Sequence, residues 1–221
     1  MIFIQKSKPI VLLVVGLCVA GVAFAHTINY QLETVPVHNV VVYYALLGIK
    51  HIIPNGFDHI LFVTGVCLLN TKWKTILWQA TAFTIAHSIT LALSMKGIIM
   101  LPSPIVEPLI ALSILFVAIE NIILSELKPW RILIVFMFGL IHGLGFASSL
   151  NEIGLPRNRF LTSILSFNLG VEIGQLIVIL IVFGILILPF RKKENYRRIV
   201  IYPASIIIAL IASYWAIERI L

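Results

Sequence analysis

The residues best equipped for chemistry are acids and imidazoles set inside apolar runs. Asp58 and His59 stand side by side in Gly56-Phe57-Asp58-His59-Ile60-Leu61-Phe62, where such a run begins. One Asp at the centre of a membrane helix costs about 2.5–3.5 kcal/mol on insertion scales, and less near an end. A residue placed there implies a partner or a task. Thr84, His87 and Ser88 lie three and four residues apart, on one face of a helix. Asn168, Glu172 and Gln175 follow i, i+4 and i+7 spacing and form a second polar stripe. His142 sits among Gly139, Gly143 and Gly145, and Glu120 stands with Asn121 near the end of another apolar run.

Together these supply three acids (Asp58, Glu120, Glu172) and three imidazoles (His59, His87, His142), without thiolates. Neutral imidazole suits Ni, Co, Zn, Cu and Fe, and carboxylates offset a cation's charge. Asp58, His59, His87, His142 and Glu172 are therefore the expected metal ligands. Thr84, Ser88, Glu120, Asn168 and Gln175 are expected to line the path to them. Binding of a metal displaces protons from such ligands, so movement of the ion can be linked to protons. Two other readings of the same residues stand beside this one. Asp, Glu and His chains also relay protons alone, and isolated polar residues also serve as hydrogen-bonding glue between membrane helices. Cys18 and Cys67 fall in apolar runs far from any C-x-x-C spacing and read as small hydrophobes.

The elements that must position these side chains are membrane spans. The chain has 221 residues, 60% hydrophobic and 11% charged, with mean hydropathy +1.07. Soluble domains are nearer about 45–50% apolar and 25% charged. The chain therefore reads as an all-α integral membrane protein. The net charge of +7 does not point to nucleic acid, because the basic residues sit in short loops rather than on one solvated face.

Residues 1–25 read as a cleavable signal peptide: Lys6 and Lys8, an apolar core from Ile10 to Val22, then Ala23-Phe24-Ala25. Cleavage leaves His26 first, whose free amine and imidazole together could capture a cation. Residues 26–55 read as an extracytoplasmic segment ending in a short interfacial helix over Tyr43–Ile53 that carries Lys50 and His51. His51 is grouped with His26 as a possible outer capture residue. Pro54-Asn55-Gly56 breaks that helix. Six spans follow in a membrane domain over 56–221, at about 56–70, 75–95, 105–125, 131–150, 161–189 and 199–218. The first is short as written. The loops after the first, third and fifth spans (Lys72, Lys74; Lys128, Arg131; Arg191, Lys192, Lys193, Arg197, Arg198) hold nine of the 16 basic residues. The positive-inside rule puts them in the cytoplasm and both mature termini outside, in a bacterial-type inner membrane.

Five ordered motifs then become familiar. Gly56–Phe62, Ala82–Leu91, Leu109–Ser113, Phe138–Ala147 and Phe167–Gln175 together resemble the HupE/UreJ family over about residues 40–180. The resemblance implies a secondary permease for nickel or cobalt, with the metal as substrate and no permanent cofactor. Two features set the chain with the broader, less characterised branch. His51 precedes Asp58-His59 by one residue more than in the better-studied branch, and Phe146 lies where that branch has a second histidine in the Gly-rich motif. The expected partners are the metal ion, the lipid bilayer and a second copy of the chain.

Two other function classes compete. An intramembrane metal-dependent hydrolase would use a metal-activated water, but H-E-x-x-H and G-x-S-x-G are both missing, and Ser148 and Ser149 have no evident base. A metal sensor or membrane assembly factor would need the site without a continuous path.

Overall fold

A computed structural model describes residues 29–69 and 72–221. The signal peptide over 1–25 and His26 lie outside the described residues. Among the described residues the chain forms α-helices and no strand: α1 Val37–Ile52, α2 Phe57–Leu68, α3 Trp73–Met95, α4 Ser103–Ile123, α5 Arg131–Ile153, α6 Phe160–Val182 and α7 Tyr202–Glu218. Wider π turns extend α6 through Ile187 and precede α7 from Arg197.

Five of these helices are long and apolar enough to cross a membrane alone: α3, α4, α5, α6 with its extensions, and α7 with its own. The protein is a multi-pass membrane protein. Helix α2 has only 12 residues, about 18 Å at 1.5 Å per residue, too short for a bilayer core. It passes the same test only together with α1, to which it is joined at a 70° bend.

The helix expected over 43–53 is thus longer than its polar end suggested. It starts at Val37 and buries Val40, Tyr44, Gly48 and Ile52, a stripe of one residue per turn, along α6. Its opposite face exposes Val42, Tyr43 and Leu46. The helix also exposes His38, Asn39 and Lys50, and together with α2 it has the length and apolar composition of a broken span or a re-entrant loop.

The helices associate as three close pairs, α1 with α6, α3 with α5, and α4 with α7, with α2 touching members of each. Arg197 donates to the Leu124 carbonyl (2.7 Å), Tyr196 to that of Leu68 (3.1 Å) and Arg131 to that of Gly65 (3.4 Å). The basic loops after α2, α4 and α6 therefore meet at one end of the bundle. At the other end Asn29 and Glu33 bond to Ile153 and Arg157, and Arg219 bonds to Asp58 and Glu107.

Close approach in the α3–α5 pair depends on Gly143. A Cβ there would lie 2.3 Å from the His87 carbonyl oxygen. Glycine at this point brings the backbone beside His142 onto the backbone of His87. The glycine of the Gly-rich motif thus positions two of the imidazoles rather than merely packing helices.

Candidate metal centre

The break between α1 and α2 builds the site. His51 lies in the last turn of α1 and His59 in the first turn of α2. The intervening Ile53-Pro54-Asn55-Gly56 folds the chain back on itself, and Gly56 fits so closely that a Cβ would sit 2.2 Å from the His51 carbonyl oxygen. The two imidazole centroids end 4.6 Å apart. His87 of α3 completes a triangle, 5.8 Å from His51 and 5.9 Å from His59. His142 of α5 stands 5.1 Å from His59.

One ligand atom from each of His51, His59 and His87 lies within 4.8 Å of the others. Bonds of about 2.0–2.1 Å to imidazole nitrogen hold donors no more than about 4.2 Å apart. A contraction of several tenths of an ångström would close the trio on an ion.

The hydrogen bonds fix which nitrogens are available. His142 Nδ1 lies 2.8 Å from the Phe138 carbonyl, which can only accept, so Nδ1 carries the proton. Asn168 gives its amide N–H to the Ile164 carbonyl (2.8 Å), which turns its oxygen toward His87 Nδ1 at 3.3 Å, so that nitrogen donates too. In both rings Nε2 keeps the lone pair. The Nε2 atoms of His51, His59, His87 and His142 are all buried without a protein hydrogen-bond partner. Buried polar atoms are rarely left unpaired, and four imidazole nitrogens of this kind in one cluster form a set that could hold a cation. The pattern of Nδ1 tied to an acceptor and Nε2 free is the usual arrangement of metal-ligating histidine.

Aromatic rings enclose the cluster. Phe83 lies 4.9 Å from His142 and 5.9 Å from His59, Phe146 3.9 Å from His51, and Phe167 stacks on Phe146 at 5.0 Å. Phe146, standing where the better-studied branch has a second histidine, supplies a wall of the site. On one side a cavity of about 440 Å³ reaches the site, lined by His51, His59 and His142 at its foot and by Asp58, Glu107 and Arg219. On the other side a gap of only about 10 Å³, roughly the space of one water, is lined by Phe62, Val66, Phe83 and Val135 and by the side chains of Gln79 and Gln175.

The remaining expected residues are distributed as follows. Asp58 does not join the imidazole trio; its carboxylate is held by Arg219 in the same cavity. Thr84 and Gln175 bond to each other across α3 and α6 at 3.0 Å. Glu172 accepts from Thr81 at 2.8 Å and keeps its second oxygen buried and unpaired. Ser88 turns its hydroxyl to the Thr84 carbonyl on its own helix. Glu120 is apart from the others: it pairs with Arg131 at 3.3 Å, beside Asn121 and the Gly65 carbonyl, nearly two turns along α2 from His59. Ser148 and Ser149, weighed as nucleophiles of a hydrolase, are exposed and do not line the cavity.

Sequence reasoning placed His51 outside with His26, whereas it is a member of the trio. It also missed Arg131, which is 1% exposed and not a loop residue, and Arg219. The available signal for His51 was its position one turn before a Pro-Asn-Gly break that itself precedes Asp58-His59.

The family model described as HupE / UreJ protein matches residues 25–219. The chain belongs to the HupE/UreJ family. The transport-related role of that family for nickel or cobalt applies to it in that general sense. No curated protein and no solved structure matches the chain. Within this HupE/UreJ protein the five motifs fall on α2, α3, α4, α5 and α6, and four of those helices meet around the imidazoles.

Asn168 is the orienting partner of His87. Asn168→Leu removes the acceptor for Nδ1–H and frees the ring to rotate, and loss of such partners costs about 10–100-fold in metal affinity. We expect nickel titration of the purified variant to show a loss in that range with an unchanged melting temperature.

Proposed function

We propose that the protein is a secondary permease that carries a divalent transition-metal ion, nickel or cobalt, through the site formed by His51, His59 and His87, with His142 beside them. The observation that supports this most is the gathering of four unpaired, buried Nε2 atoms from four helices, three of them on histidines (His51, His59 and His142) that line one cavity.

The ion sheds water as it descends the cavity and exchanges it for imidazole nitrogen, which must be neutral to bind. Asp58 at the mouth offsets its charge. The layer of Phe62, Val66, Phe83 and Val135, with Gln79 and Gln175, narrows the far side to about 10 Å³. A broken helix at the binding site is how many transporters place ligands at membrane depth, with the arms rocking to expose the site alternately. Here the α1–α2 bend is the element that would move. The positive-inside rule puts the cavity mouth outside and the basic loops in the cytoplasm, so the ion would enter from outside. The chain has no nucleotide-binding motif, so the energy for transport would come from a gradient or from a partner.

The experiment is uptake into liposomes holding the purified protein and a nickel-sensitive dye. Saturable entry of nickel or cobalt supports a permease. Tight metal binding with no entry under any imposed proton or sodium gradient would contradict it.

A further inference from the structure

We infer that Arg219 is a charge gate at the cavity mouth: its guanidinium holds Asp58 while no metal is present and yields it to an arriving divalent cation, but not to a monovalent one. The inference deepens the permease reading by assigning the residue that screens ions before they reach the histidines.

The geometry is that of a contact built to be exchanged. Arg219 Nη2 lies 3.1 Å from both carboxylate oxygens of Asp58. One nitrogen serves both oxygens, so the pair lacks the two parallel bonds of a full fork. The other nitrogen, Nη1, donates to the Glu107 carbonyl at 3.2 Å, and the guanidinium lies 5.3 Å from the Trp215 ring centroid. Those contacts give the released arginine a place to stay. The side chains of Arg219 and Asp58 are 20% and 24% exposed, wet enough for an ion to approach. All four residues line the cavity whose foot carries His59 and His142, each with an unpaired buried Nε2.

Charge decides which ions pass. The mouth holds two carboxylates, Asp58 and Glu107, against one guanidinium. A monovalent ion at Asp58 would gain the same Coulomb energy that Arg219 already supplies, and would still have to shed water. A divalent ion gains twice as much at equal distance. The guanidinium thus sets a threshold that only the higher charge crosses. A purely structural pairing of α2 with the end of α7 would have no such valence dependence.

The test is nickel titration of the full-length protein in detergent, with and without excess potassium chloride. Arg219→Gln should tighten nickel binding roughly five- to tenfold, by removing one charge from the vicinity of Asp58, and should make potassium a competitor, which it is not in the wild type. Arg219→Lys, which keeps the charge, should stay close to wild type. Asp58→Asn should weaken binding, and adding Arg219→Gln to it should change nothing further. Nickel binding by folded Arg219→Gln that is unchanged or weaker would overturn the inference. A second reading needs no change at Arg219. Zinc, which does not quench fluorescence, should shift the Trp215 emission of the wild type as the guanidinium leaves, with no shift from potassium and none in Trp215→Phe. Absence of a zinc-dependent shift would overturn the gate as well. If the wild type binds nickel but moves none across a bilayer, the transport reading fails while the gate stands. If it transports and Arg219→Gln binds no tighter, the gate alone fails.

Discussion

His59→Ala is expected to abolish saturable nickel uptake and to weaken nickel binding by more than about 100-fold. Losing an orienting partner of a metal-bound histidine already costs about 10–100-fold, and His59 is itself a member of the trio. It is also the member in ring contact with all the others: 4.6 Å from His51, 5.9 Å from His87 and 5.1 Å from His142. Of the remaining donors, His142 lies outside the set whose ligand atoms fall within 4.8 Å of one another, and Asp58 and Glu172 stand against Arg219 and Thr81. His38 is exposed on the outward face of α1 and serves as the control; His38→Ala should bind and transport as wild type does. Equal uptake by the two variants at equal expression would refute the role given to His59.

The second large effect concerns stability. Arg131→Ala should destabilise the protein by about 3–5 kcal/mol, the cost of breaking a buried ion pair by removing one partner. Arg131 and Glu120 are 1% and 5% exposed. The guanidinium also donates to Asn121 Oδ1 at 3.0 Å from two nitrogens and to the Gly65 carbonyl. It therefore ties α2, α4 and α5 together at the end where the basic loops meet. Without it Glu120 is left buried and uncompensated. Replacing both residues, as Glu120→Leu with Arg131→Leu, should recover most of the loss, since burying two apolar groups avoids both desolvation costs. The midpoint of unfolding in detergent reads both variants. A double variant as unstable as Arg131→Ala would mean that the Gly65 and Asn121 bonds, not the charge pairing, carry the effect.

Much of the fold was legible because bilayer thickness fixes how long an apolar run must be. Expected spans 75–95 and 105–125 became Trp73–Met95 and Ser103–Ile123. The long fifth span, expected over 161–189, became Phe160–Val182 continued in π turns to Ile187. His59, His87 and His142 were legible for the opposite reason: a costly side chain in an apolar run advertises a task. Asn168 and Glu172 stood out in the same way, although only the coordinates separate the role of orienting His87 from that of facing Thr81.

What stayed hidden involves long sequence separations or a bend. Lys50 and His51 beside Pro54-Asn55-Gly56 have the composition of a helix end near water. Only the 70° turn and the packing of α1 along α6 carry His51 inward. Arg131 and Arg219 read as basic residues at span ends, where topology alone accounts for a positive charge. Asp58 and Arg219 are 161 positions apart, and no local pattern pairs them. Glu120 was expected on the path because it is an acid in a span; its neighbour across the α4–α5 turn, ten residues from Asn121, claims it instead.

The central claim is that imidazoles from both arms of the broken span and from α3 close on one ion. Nickel-edge X-ray absorption of the nickel-loaded protein tests it most directly. The predicted spectrum has nitrogen neighbours at about 2.0–2.1 Å, with outer-shell imidazole features that diminish in each of His51→Ala, His59→Ala and His87→Ala. A shell of oxygen alone, unchanged by all three substitutions, would contradict it.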